Sequence, residues 1–484
     1  MNDDERLYSP GLKGVVAGET ALAMIDGGSG RLLYRGYPIG ELVEHGTYAQ
    51  VAELLWTGEW RPDAHLAAAP LPAAVLDVLR GLSAAANPMD ALRTGVSAWG
   101  AEARTAWPPD VEQARALTAV APSILAAFAR LRTGAEPIDP DPSLGLAAGF
   151  LYQLTGRQPD EAAARALDAY FVVGAEHGFN ASTFTARVIV STHSDVASAV
   201  AGAIGALKGP WHGGAPSEVV DQLHEMGSVD QAEAWIRATL ARGDRLMGFG
   251  HRVYRAYDPR AAALRAVAEG MAGVADWLAK AVAIEEIALR ILAEWKPDYP
   301  IKTNVEYYAA AVLQGVGLEP NLFPATFALA RHAGWTAHCL EQAAADVLIR
   351  PDVRYIGPAE RHVPSPEASG ERRLRTDSGT DSAPQRDMDE DRSVERRPNA
   401  IEGADDAALG VTPAPEPAPP GAEVDATQRL VPGARFDDIP ATEAKPWSSS
   451  LAARDPQAGV ANDAPDAQRV DEPLPDAEER GRQE

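Results

Sequence analysis

The amino-acid sequence predicts an all-α fold that carries one short β-ribbon near its N-terminus. Apolar residues recur at helical spacing over most of the chain, and a glycine-rich turn separates two short apolar runs near residue 28. Strands do not alternate with helices as a parallel sheet requires, and no repeat of fixed period occurs. The 484 residues are enough for two domains, because single hydrophobic cores stop growing near ~250 to 300 residues.

The β-ribbon is predicted over residues 20–39. Apolar residues at 21–25 and 32–34 flank the sequence DGGSG at 26–30. Two short apolar runs joined by glycines and an aspartate are typical of a hairpin.

Helices are predicted after the ribbon. Residues 280–295 have an apolar stripe opposite a charged face, which is typical of a helix that faces the core. Residues 195–208 carry a small residue at every fourth position, and such a row lets a second helix approach closely. Pro324 fits the first residue of a third helix.

The last quarter of the chain differs in composition. Residues 366–484 contain 27 Asp and Glu, 14 Lys and Arg, 15 Pro and two aromatic residues. Such a segment lacks the apolar surface that offsets an ordering entropy of roughly 1 to 2 kcal/mol per residue. We therefore predict a disordered acidic tail over 366–484 and a fold that ends near residue 365.

Charge and cysteine content restrict the partners and the compartment. The formal net charge is −25, which opposes binding to nucleic acid or to an anionic membrane. Cys339 is the only cysteine, so no internal disulfide can form. The acidic start has no signal-peptide core, and no uninterrupted apolar run approaches ~20 residues. We expect a soluble, cytoplasmic protein without a membrane segment.

Three of the ten histidines, His177, His212 and His251, stand beside glycines. Backbone without side chains can approach a ligand closely, and an imidazole there is suited to contact that ligand. Each histidine alone is better explained as a hydrogen-bonded structural residue. The three together favour a functional site.

Arginine is concentrated in one segment of this acidic chain. Arg252, Arg255 and Arg260 fall within ten residues, and Arg331 lies on an otherwise apolar helix face. Guanidinium groups match carboxylates bidentately, so the cluster suits a substrate with several carboxylates. The alternative is surface ion pairing with the abundant Asp and Glu, which fits Arg252 better than Arg331.

Glu306 begins an apolar helical run, where a negative charge is favoured by the helix dipole. A capping role and a role as general base in a partly desolvated pocket are both open. No GxxxxGK[ST] loop occurs, and the GFG sequence at 248–250 lacks the preceding strand of a dinucleotide loop. One thiol and no HExxH motif leave a metal site unsupported.

Together these segments resemble the citrate synthase family. The matching stretches appear in family order and cover nearly all of residues 11 to 358. They read GLKGVVAGETAL, LLYRGYPI, EHGFNASTFTARV, LKGPWHGGAPSE, MGFGHRVYRAYDPRA, TNVEYYAAAVL, ARHAGWTAHCLEQ and LIRPDVRYIGP.

The resemblance implies a large helical domain formed by residues 1–215 and 321–365. A small helical domain at about 216–320 is inserted in it, and the active site lies in the cleft between the two. The resemblance also implies a homodimer, with the helix at 195–208 at the subunit interface. A hexameric branch of the family has an additional N-terminal domain, and the early ribbon favours the dimer here.

The resemblance assigns three catalytic roles. Glu306 matches the base that takes a proton from the thioester methyl group. His212 matches the hydrogen-bond donor to the thioester oxygen, and His251 matches the group that polarises the ketone of oxaloacetate. The implied reaction joins acetyl-CoA to oxaloacetate and water. A thioester α-proton is weakly acidic, so its removal requires a donor at the developing oxyanion.

Five further positions match binding residues of the family. His177, Arg260 and Arg331 match residues that bind oxaloacetate, and such arginines fix the orientation of the diacid. Arg350 matches an arginine offered by the partner subunit, and Arg255 resembles a contact to a CoA phosphate. No permanently bound cofactor is implied, because acetyl-CoA or propionyl-CoA acts as a co-substrate.

Two positions depart from the family pattern. The family usually has Asp where this chain has Glu306, and the extra methylene can move the carboxylate by about 1 Å. Normal, reduced and lost activity are the three outcomes, and the matches elsewhere favour the first. Asp352 stands where a second basic residue is expected, close to Arg350.

Other functions stay open. A 2-methylcitrate synthase that uses propionyl-CoA requires the same residues and differs in room for one methyl group, worth ~1 to 3 kcal/mol. A non-catalytic paralogue that binds CoA or oxaloacetate is supported by Glu306 alone. The tail is either a scaffold for partners or an inert solubilising extension.

Overall fold

The computed structural model describes residues 8–210, 212, 215–251, 254–271 and 275–363. Within this part of the chain the fold is mostly helical, which confirms the predicted all-α class. The predicted tail lies outside the described residues. The predicted division into a large and an inserted small domain stays a prediction.

The predicted N-terminal ribbon is confirmed. Strands β1 (Ala23–Asp26), β2 (Arg31–Tyr34) and β3 (Tyr37–Pro38) form an antiparallel sheet in the order β1-β2-β3. The Asp26 carboxylate closes the turn by accepting the N–H of Gly28 at 3.0 Å. The third strand was not predicted, because two residues carry no alternation of polar and apolar side chains.

Helices α1 to α9 follow the ribbon, and a 3-10 turn at Pro10–Leu12 precedes it. They are α1 (Ile39–His45), α2 (Tyr48–Thr57), α3 (Ala73–Arg80), α4 (Pro88–Ala103), α5 (Val111–Leu131), α6 (Leu146–Thr155), α7 (Glu161–Gly174), α8 (Ala181–Val190) and α9 (Val196–Leu207). Side-chain caps start several of them. Thr47 and Gln50, for example, form a capping box that satisfies two backbone N–H groups of α2.

The remaining helices contain two of the predicted segments. They are α10 (Ala215–Glu225), α11 (Val229–Ala241), α12 (Pro259–Glu269), α13 (Ala275–Trp295), α14 (Val305–Gly315) and α15 (Phe323–Ala345), with a 3-10 turn at Pro320–Leu322 before α15. Helix α13 begins five residues before the predicted start at 280. Helix α15 begins one residue before Pro324, which is therefore its second residue.

Helix α15 is central to the fold. It packs against α2, α5, α7, α8 and α9, and Trp335 on it is fully buried. At Gly334 an added Cβ would lie 2.2 Å from the carbonyl oxygen of Ala175. Glycine therefore lets α15 pass directly beneath the connection between α7 and α8, which carries His177.

Helix α9 confirms the close approach that its small residues predict. A Cβ added at Gly100 of α4 would lie 2.4 Å from Cβ of Ala197 on α9. The two helices belong to the same chain, so this part of the small-residue row serves packing within the chain.

Helix α5 is the one helix in the described part of the chain that is long and apolar enough to cross a membrane. Of its most apolar window, 72% is buried within the protein, and the helix packs against α4, α6 and α15. Arg115 interrupts its apolar sequence near the start. We therefore interpret α5 as a core helix.

Candidate active site

The candidate site is formed by four segments that are far apart in sequence. They are the connection between α7 and α8, the turn after α9, the segment that ends at residue 251, and the N-terminus of α14. These segments carry His177, His212, His251 and Glu306 respectively. Contacts and electrostatic interactions join these residues to two buried arginines, Arg260 and Arg331.

Glycines fix the segment that carries His251. Gly248 and Gly250 have φ angles of 82° and 81°, in the left-handed region that favours glycine. The N–H of Asn304 donates to the carbonyl oxygen of Gly248 at 2.9 Å. The segment therefore pairs with the residues that lead into α14, and His251 lies beside the start of that helix.

His251 and Arg260 direct hydrogen-bond donors to one place. The N–H of Tyr254 donates to Nδ1 of His251 at 3.1 Å, so the neutral ring carries its proton on Nε2. Nη2 of Arg260 lies 3.4 Å from this Nε2, and because both groups are donors in this tautomer they do not hydrogen-bond to each other. Two neighbouring donors suit a shared oxygen acceptor, such as a ketone or a carboxylate. Burial and then the charge of Arg260 lower the pKa of His251 to about 4, so the imidazole is neutral near pH 7.

Asp258 holds Arg260 in place. Its carboxylate accepts from Nε of Arg260 at 3.0 Å and from Nη2 at 2.8 Å, and both side chains are buried. Burial alone would lower the pKa of Arg260, but the Asp258 carboxylate raises it above its usual value. The same carboxylate caps α12 by accepting the N–H of Arg260 at 3.0 Å.

His177 lies next to His251, with ring centroids 5.4 Å apart. Burial, and then the charge of Arg260, lower its pKa well below the usual value, so this imidazole is also neutral. The Glu176 carboxylate accepts the N–H of Gly178 at 2.5 Å. This hydrogen bond spans His177 and fixes the backbone on both sides of it.

His212 faces the N-terminus of α8. Its Nε2 accepts the N–H of Ser182 at 3.1 Å and lies 2.9 Å from the Ser182 hydroxyl, which itself donates to Asn180 at 2.8 Å. The proton of the neutral ring is therefore on Nδ1. Burial and then Arg331 lower the pKa of His212. A hydrogen bond from the ring to the backbone of His212 itself opposes this lowering of the pKa.

Glu306 lies in the first turn of α14. The helix is capped by Asn304, whose side chain accepts the N–H of Glu306 at 3.0 Å, so the capping role belongs to Asn304. The Glu306 carboxylate makes no hydrogen bond within the described part of the chain. Burial raises its pKa to about 7 against the opposing charge of Arg260. Such a pKa suits a base that works near neutral pH.

Arg331 is a buried cation on α15 and is 2% exposed. Its Nε donates to the carbonyl oxygen of Gly174 at 2.6 Å, and its guanidinium lies 4.9 Å from the centre of the Phe327 ring. Burial lowers its pKa, but an arginine stays protonated in proteins. The charge of Arg331 affects the pKa of both His177 and His212, so it lies within electrostatic reach of both rings.

Two predicted residues are not joined to this cluster by any contact within the described residues. Arg255 is exposed, and its guanidinium lies 4.5 Å above the ring of Tyr299. Arg350 is exposed in the extended segment that follows α15. Arg252 lies outside the described residues.

A chain of buried polar side chains lies beneath the His177 segment and was not predicted. Nη1 of Arg187 donates to Nδ1 of His338 at 2.9 Å, so His338 carries its proton on Nε2 and donates to Glu176 at 3.0 Å. Arg187 is 4% exposed and the other two are fully buried. These hydrogen bonds hold the Glu176 carboxylate, which accepts the Gly178 N–H on the far side of His177. No local sequence motif predicts these hydrogen bonds, because the bonded residues are 151 and 162 positions apart.

Two further residues missed by sequence reasoning stand behind His212. The indole N–H of Trp335 donates to the Ser182 hydroxyl at 3.1 Å. That hydroxyl therefore accepts from Trp335 and gives its own proton to Asn180. Ser182 stands in the EHGFNAS sequence beside His177, so proximity to a site residue was the one available signal.

The arrangement combines a carboxylate that can act as a base, neutral imidazoles that can donate hydrogen bonds, and buried guanidiniums. These groups suit proton removal next to a carbonyl group and binding of a partner with several carboxylates. Within residues 8–363, leaving out the undescribed positions, no three His, Cys, Asp or Glu side chains are grouped so as to hold a metal ion.

Comparison with known proteins agrees with this chemistry. The sequence model described as "Citrate synthase, C-terminal domain" matches residues 11–352. A citrate synthase of Haloferax volcanii is 42% identical over 367 residues, 72% of this chain and 95% of that relative. A 2-methylcitrate synthase of Mycobacterium tuberculosis is 39% identical over 380 residues, 75% of this chain and 94% of that relative.

Solved structures are similar over the same part of the chain. Citrate synthase from Thermotoga maritima superimposes with a TM-score of 0.65 and 34% identity, covering 75% of this chain and 99% of that one. A ternary complex of carboxymethyl coenzyme A and oxaloacetate with citrate synthase from Thermoplasma acidophilum gives a TM-score of 0.68 and 28% identity, with the same coverage. The chain therefore belongs to the citrate synthase family and is a citrate synthase-type enzyme.

Proposed function

We propose that the protein condenses acetyl-CoA with oxaloacetate and water to give citrate and CoA. The observation that carries the proposal is the carboxylate of Glu306, which has a pKa of about 7 and no hydrogen-bond partner within the described residues. The charge of Arg260 acts on this carboxylate, and Nη2 of Arg260 lies beside Nε2 of His251. A base, an oxyanion donor and a diacid anchor are the three groups that this reaction requires.

Enolisation of the thioester is the first step. The Glu306 carboxylate takes a proton from the thioester methyl group, and the electron pair of the broken C–H bond forms the C=C bond of the enol or enolate. Negative charge develops on the thioester oxygen, which accepts a hydrogen bond from Nδ1–H of His212. The tautomer of His212 supports this role, because its Nε2 already accepts from Ser182.

Formation of the carbon–carbon bond follows. The enol carbon attacks the ketone carbon of oxaloacetate, and the ketone oxygen takes up the electron pair of the C=O π bond and accepts a hydrogen bond from Nε2–H of His251. This oxygen ends as the citryl hydroxyl by taking a proton from solvent, and Glu306 returns the proton it removed to solvent. Arg260, Arg331 and His177 bind the oxaloacetate carboxylates and orient the ketone. Water then hydrolyses the citryl thioester, so that the C–S bond breaks and the CoA thiol leaves.

Arg255 is proposed to contact a phosphate of CoA. Its guanidinium is exposed and lies over the ring of Tyr299, an arrangement that leaves its edge open to an anion. CoA enters and leaves as a co-substrate, and the proposal requires no resident cofactor. The acidic net charge of −25 supports a soluble, cytoplasmic enzyme that does not bind nucleic acid or membranes.

A 2-methylcitrate synthase that uses propionyl-CoA is the second candidate, since a relative of that name is 39% identical. The two substrates differ by one methyl group, which a pocket distinguishes by ~1 to 3 kcal/mol. Release of free thiol in the presence of oxaloacetate should therefore be measured with acetyl-CoA and with propionyl-CoA. A higher kcat/KM for propionyl-CoA would reverse the assignment.

Glu306→Gln is the matched control for that assay. The variant should release no thiol with either acyl-CoA, because an amide cannot take the proton. It should bind oxaloacetate with nearly the wild-type Kd, because arginines hold the diacid. Turnover by Glu306→Gln, or absence of thiol release by the wild type over the whole pH range, would contradict the proposed function.

The working unit is proposed to be a homodimer. Helices α4 and α9 border an open groove of about 620 Å³ whose lining includes Ala98, Ala101, Ala201 and Gly202. Small residues of this kind let helices of a second subunit approach. Val353 and Ile356 in the segment after α15 are 90% and 87% exposed, which also favours a partner surface.

Arg350 is proposed to complete the site of the partner subunit. Arg350→Gln and Glu306→Gln should each be inactive as homodimers. Mixed dimers should regain activity, because one of their two sites then contains wild-type Glu306 and receives a wild-type Arg350. No recovery after refolding the two variants together, or a monomer by light scattering, would contradict this arrangement.

A further inference from the structure

Tyr254 is the common neighbour of three residues in the candidate site. Its ring centroid lies 5.7 Å from that of His177 and 4.8 Å from that of His251, and the guanidinium carbon of Arg260 lies 5.6 Å from the same ring. The side chain is 4% exposed. A buried ring in contact with both imidazoles and with a guanidinium limits how each of them can rotate.

Tyr254 also bonds to both imidazoles through different groups. Its backbone N–H donates to Nδ1 of His251 at 3.1 Å. Its hydroxyl lies 3.3 Å from Nε2 of His177. Burial raises the pKa of Tyr254 to about 12 and lowers that of His177, so both groups are neutral and a single hydrogen bond joins them. With the His177 proton on Nδ1, the hydroxyl is the donor and Nε2 the acceptor.

We propose that Tyr254 is a positioning residue for the keto-diacid substrate: its hydroxyl orients His177 while its backbone N–H orients His251. The inference rests on the proposed function. It adds a residue that touches neither acyl-CoA nor the base but sets the direction of the oxaloacetate-binding imidazoles. Fixed donors bind a substrate more tightly than donors that must first be ordered, because the ordering entropy is already lost.

Tyr254→Phe is the direct test, since it removes the hydroxyl and keeps the ring and the backbone N–H. The Kd of oxaloacetate by titration calorimetry, and its KM in the thiol assay, should rise about fivefold, as expected for one lost hydrogen bond. KM for acetyl-CoA should stay within about twofold, because the thioester donor is His212. A wild-type Kd and KM for oxaloacetate in Tyr254→Phe would overturn the inference.

Tyr307→Phe is the matched control. Tyr307 is also buried, and its hydroxyl donates to the carbonyl oxygen of Ala281 at 2.7 Å, on α13. This variant loses a buried hydroxyl of the same kind, so its thermal midpoint should fall while the Kd of oxaloacetate stays unchanged. An equal loss of oxaloacetate affinity in both variants would mean that general loosening explains the effect, and the inference would then be wrong.

The tautomer of His177 can be measured in the wild-type protein, which requires neither a variant nor turnover. Nitrogen-15 spectra of the histidine side chains should show the neutral His177 ring with its proton on Nδ1 in the protein without substrate. A proton on Nε2 would contradict the inference. If the wild type binds oxaloacetate but releases no thiol, the proposed function fails while the calorimetric comparison still decides the role of Tyr254. If it does not bind oxaloacetate, both fail.

Discussion

The carboxylate of Asp258 accepts a hydrogen bond from the backbone N–H of Val305 at 3.1 Å. Val305 is the first residue of α14, and Asp258 also pairs with Arg260, so Asp258 joins the helix that carries Glu306 to Arg260. One buried carboxylate thus fixes a candidate base relative to a candidate substrate anchor. The positions of the candidate base and of the candidate substrate anchor therefore both depend on Asp258.

Asp258→Asn should lower the free energy of unfolding by about 3 kcal/mol, because it leaves the buried Arg260 without a counter-charge. It should also raise KM for oxaloacetate, since Arg260 is no longer held by two hydrogen bonds. Urea unfolding and steady-state kinetics measure the two effects. Asp77→Asn is the control, because Asp77 pairs with Arg80 at the surface, and it should change neither quantity. Wild-type stability in Asp258→Asn would contradict the proposed coupling.

Turnover should fall as the pH drops below about 7. Glu306 acts as a base only when ionised, and burial raises its pKa to about 7, so acidification removes the active form. His251 does not interfere, because its pKa of about 4 keeps it neutral throughout this range. Asp258 contributes to raising the pKa of Glu306, so Asp258→Asn should move the acidic limb to lower pH. A profile of kcat/KM for acetyl-CoA without a limb near pH 7 would contradict the role of Glu306.

Trp335 and Ser182 should act together on His212. Ser182→Ala removes the hydroxyl that lies 2.9 Å from Nε2 of His212, and Trp335→Phe removes the donor that orients this hydroxyl. Each change should lower kcat and leave KM for oxaloacetate nearly unchanged, because within the described residues neither side chain hydrogen-bonds to Arg260 or Arg331. The double variant should be about as slow as Ser182→Ala, a coupling of about 1 kcal/mol. Additive effects would show that Trp335 acts through general packing instead.

Much of the fold could be predicted because its signals are local. The glycines and the aspartate of the 26–30 turn predict the ribbon, and the apolar period predicts α9 and most of α13. The start of α13 was missed by five residues, because helical spacing alone does not mark where a helix begins. The third strand consists of two residues and has no period to detect.

The side chains that would contact substrate could be predicted from the sequence, but the residues that hold them in place could not. His177, His212 and His251 stand out because glycines flank them. Tyr254 does not stand out, because an aromatic residue in a helical protein is usually part of the core, and its partner His177 lies 77 residues away. Long-range hydrogen bonds depend on how helices pack, and that information is spread over the whole chain.

Gly334→Ala should test how closely α15 must approach the His177 segment. The added Cβ would lie 2.2 Å from the carbonyl oxygen of Ala175 and 2.5 Å from the Glu176 carboxylate, so the helix and the segment must separate. We expect a loss of about 1 to 3 kcal/mol in urea unfolding and a higher Kd for oxaloacetate, because His177 moves with the segment. Gly40→Ala in α1 is the control: its Cβ meets nothing within 4 Å, and a helical alanine should slightly stabilise the protein. If Gly334→Ala binds oxaloacetate as the wild type does, close packing of α15 is not what positions His177.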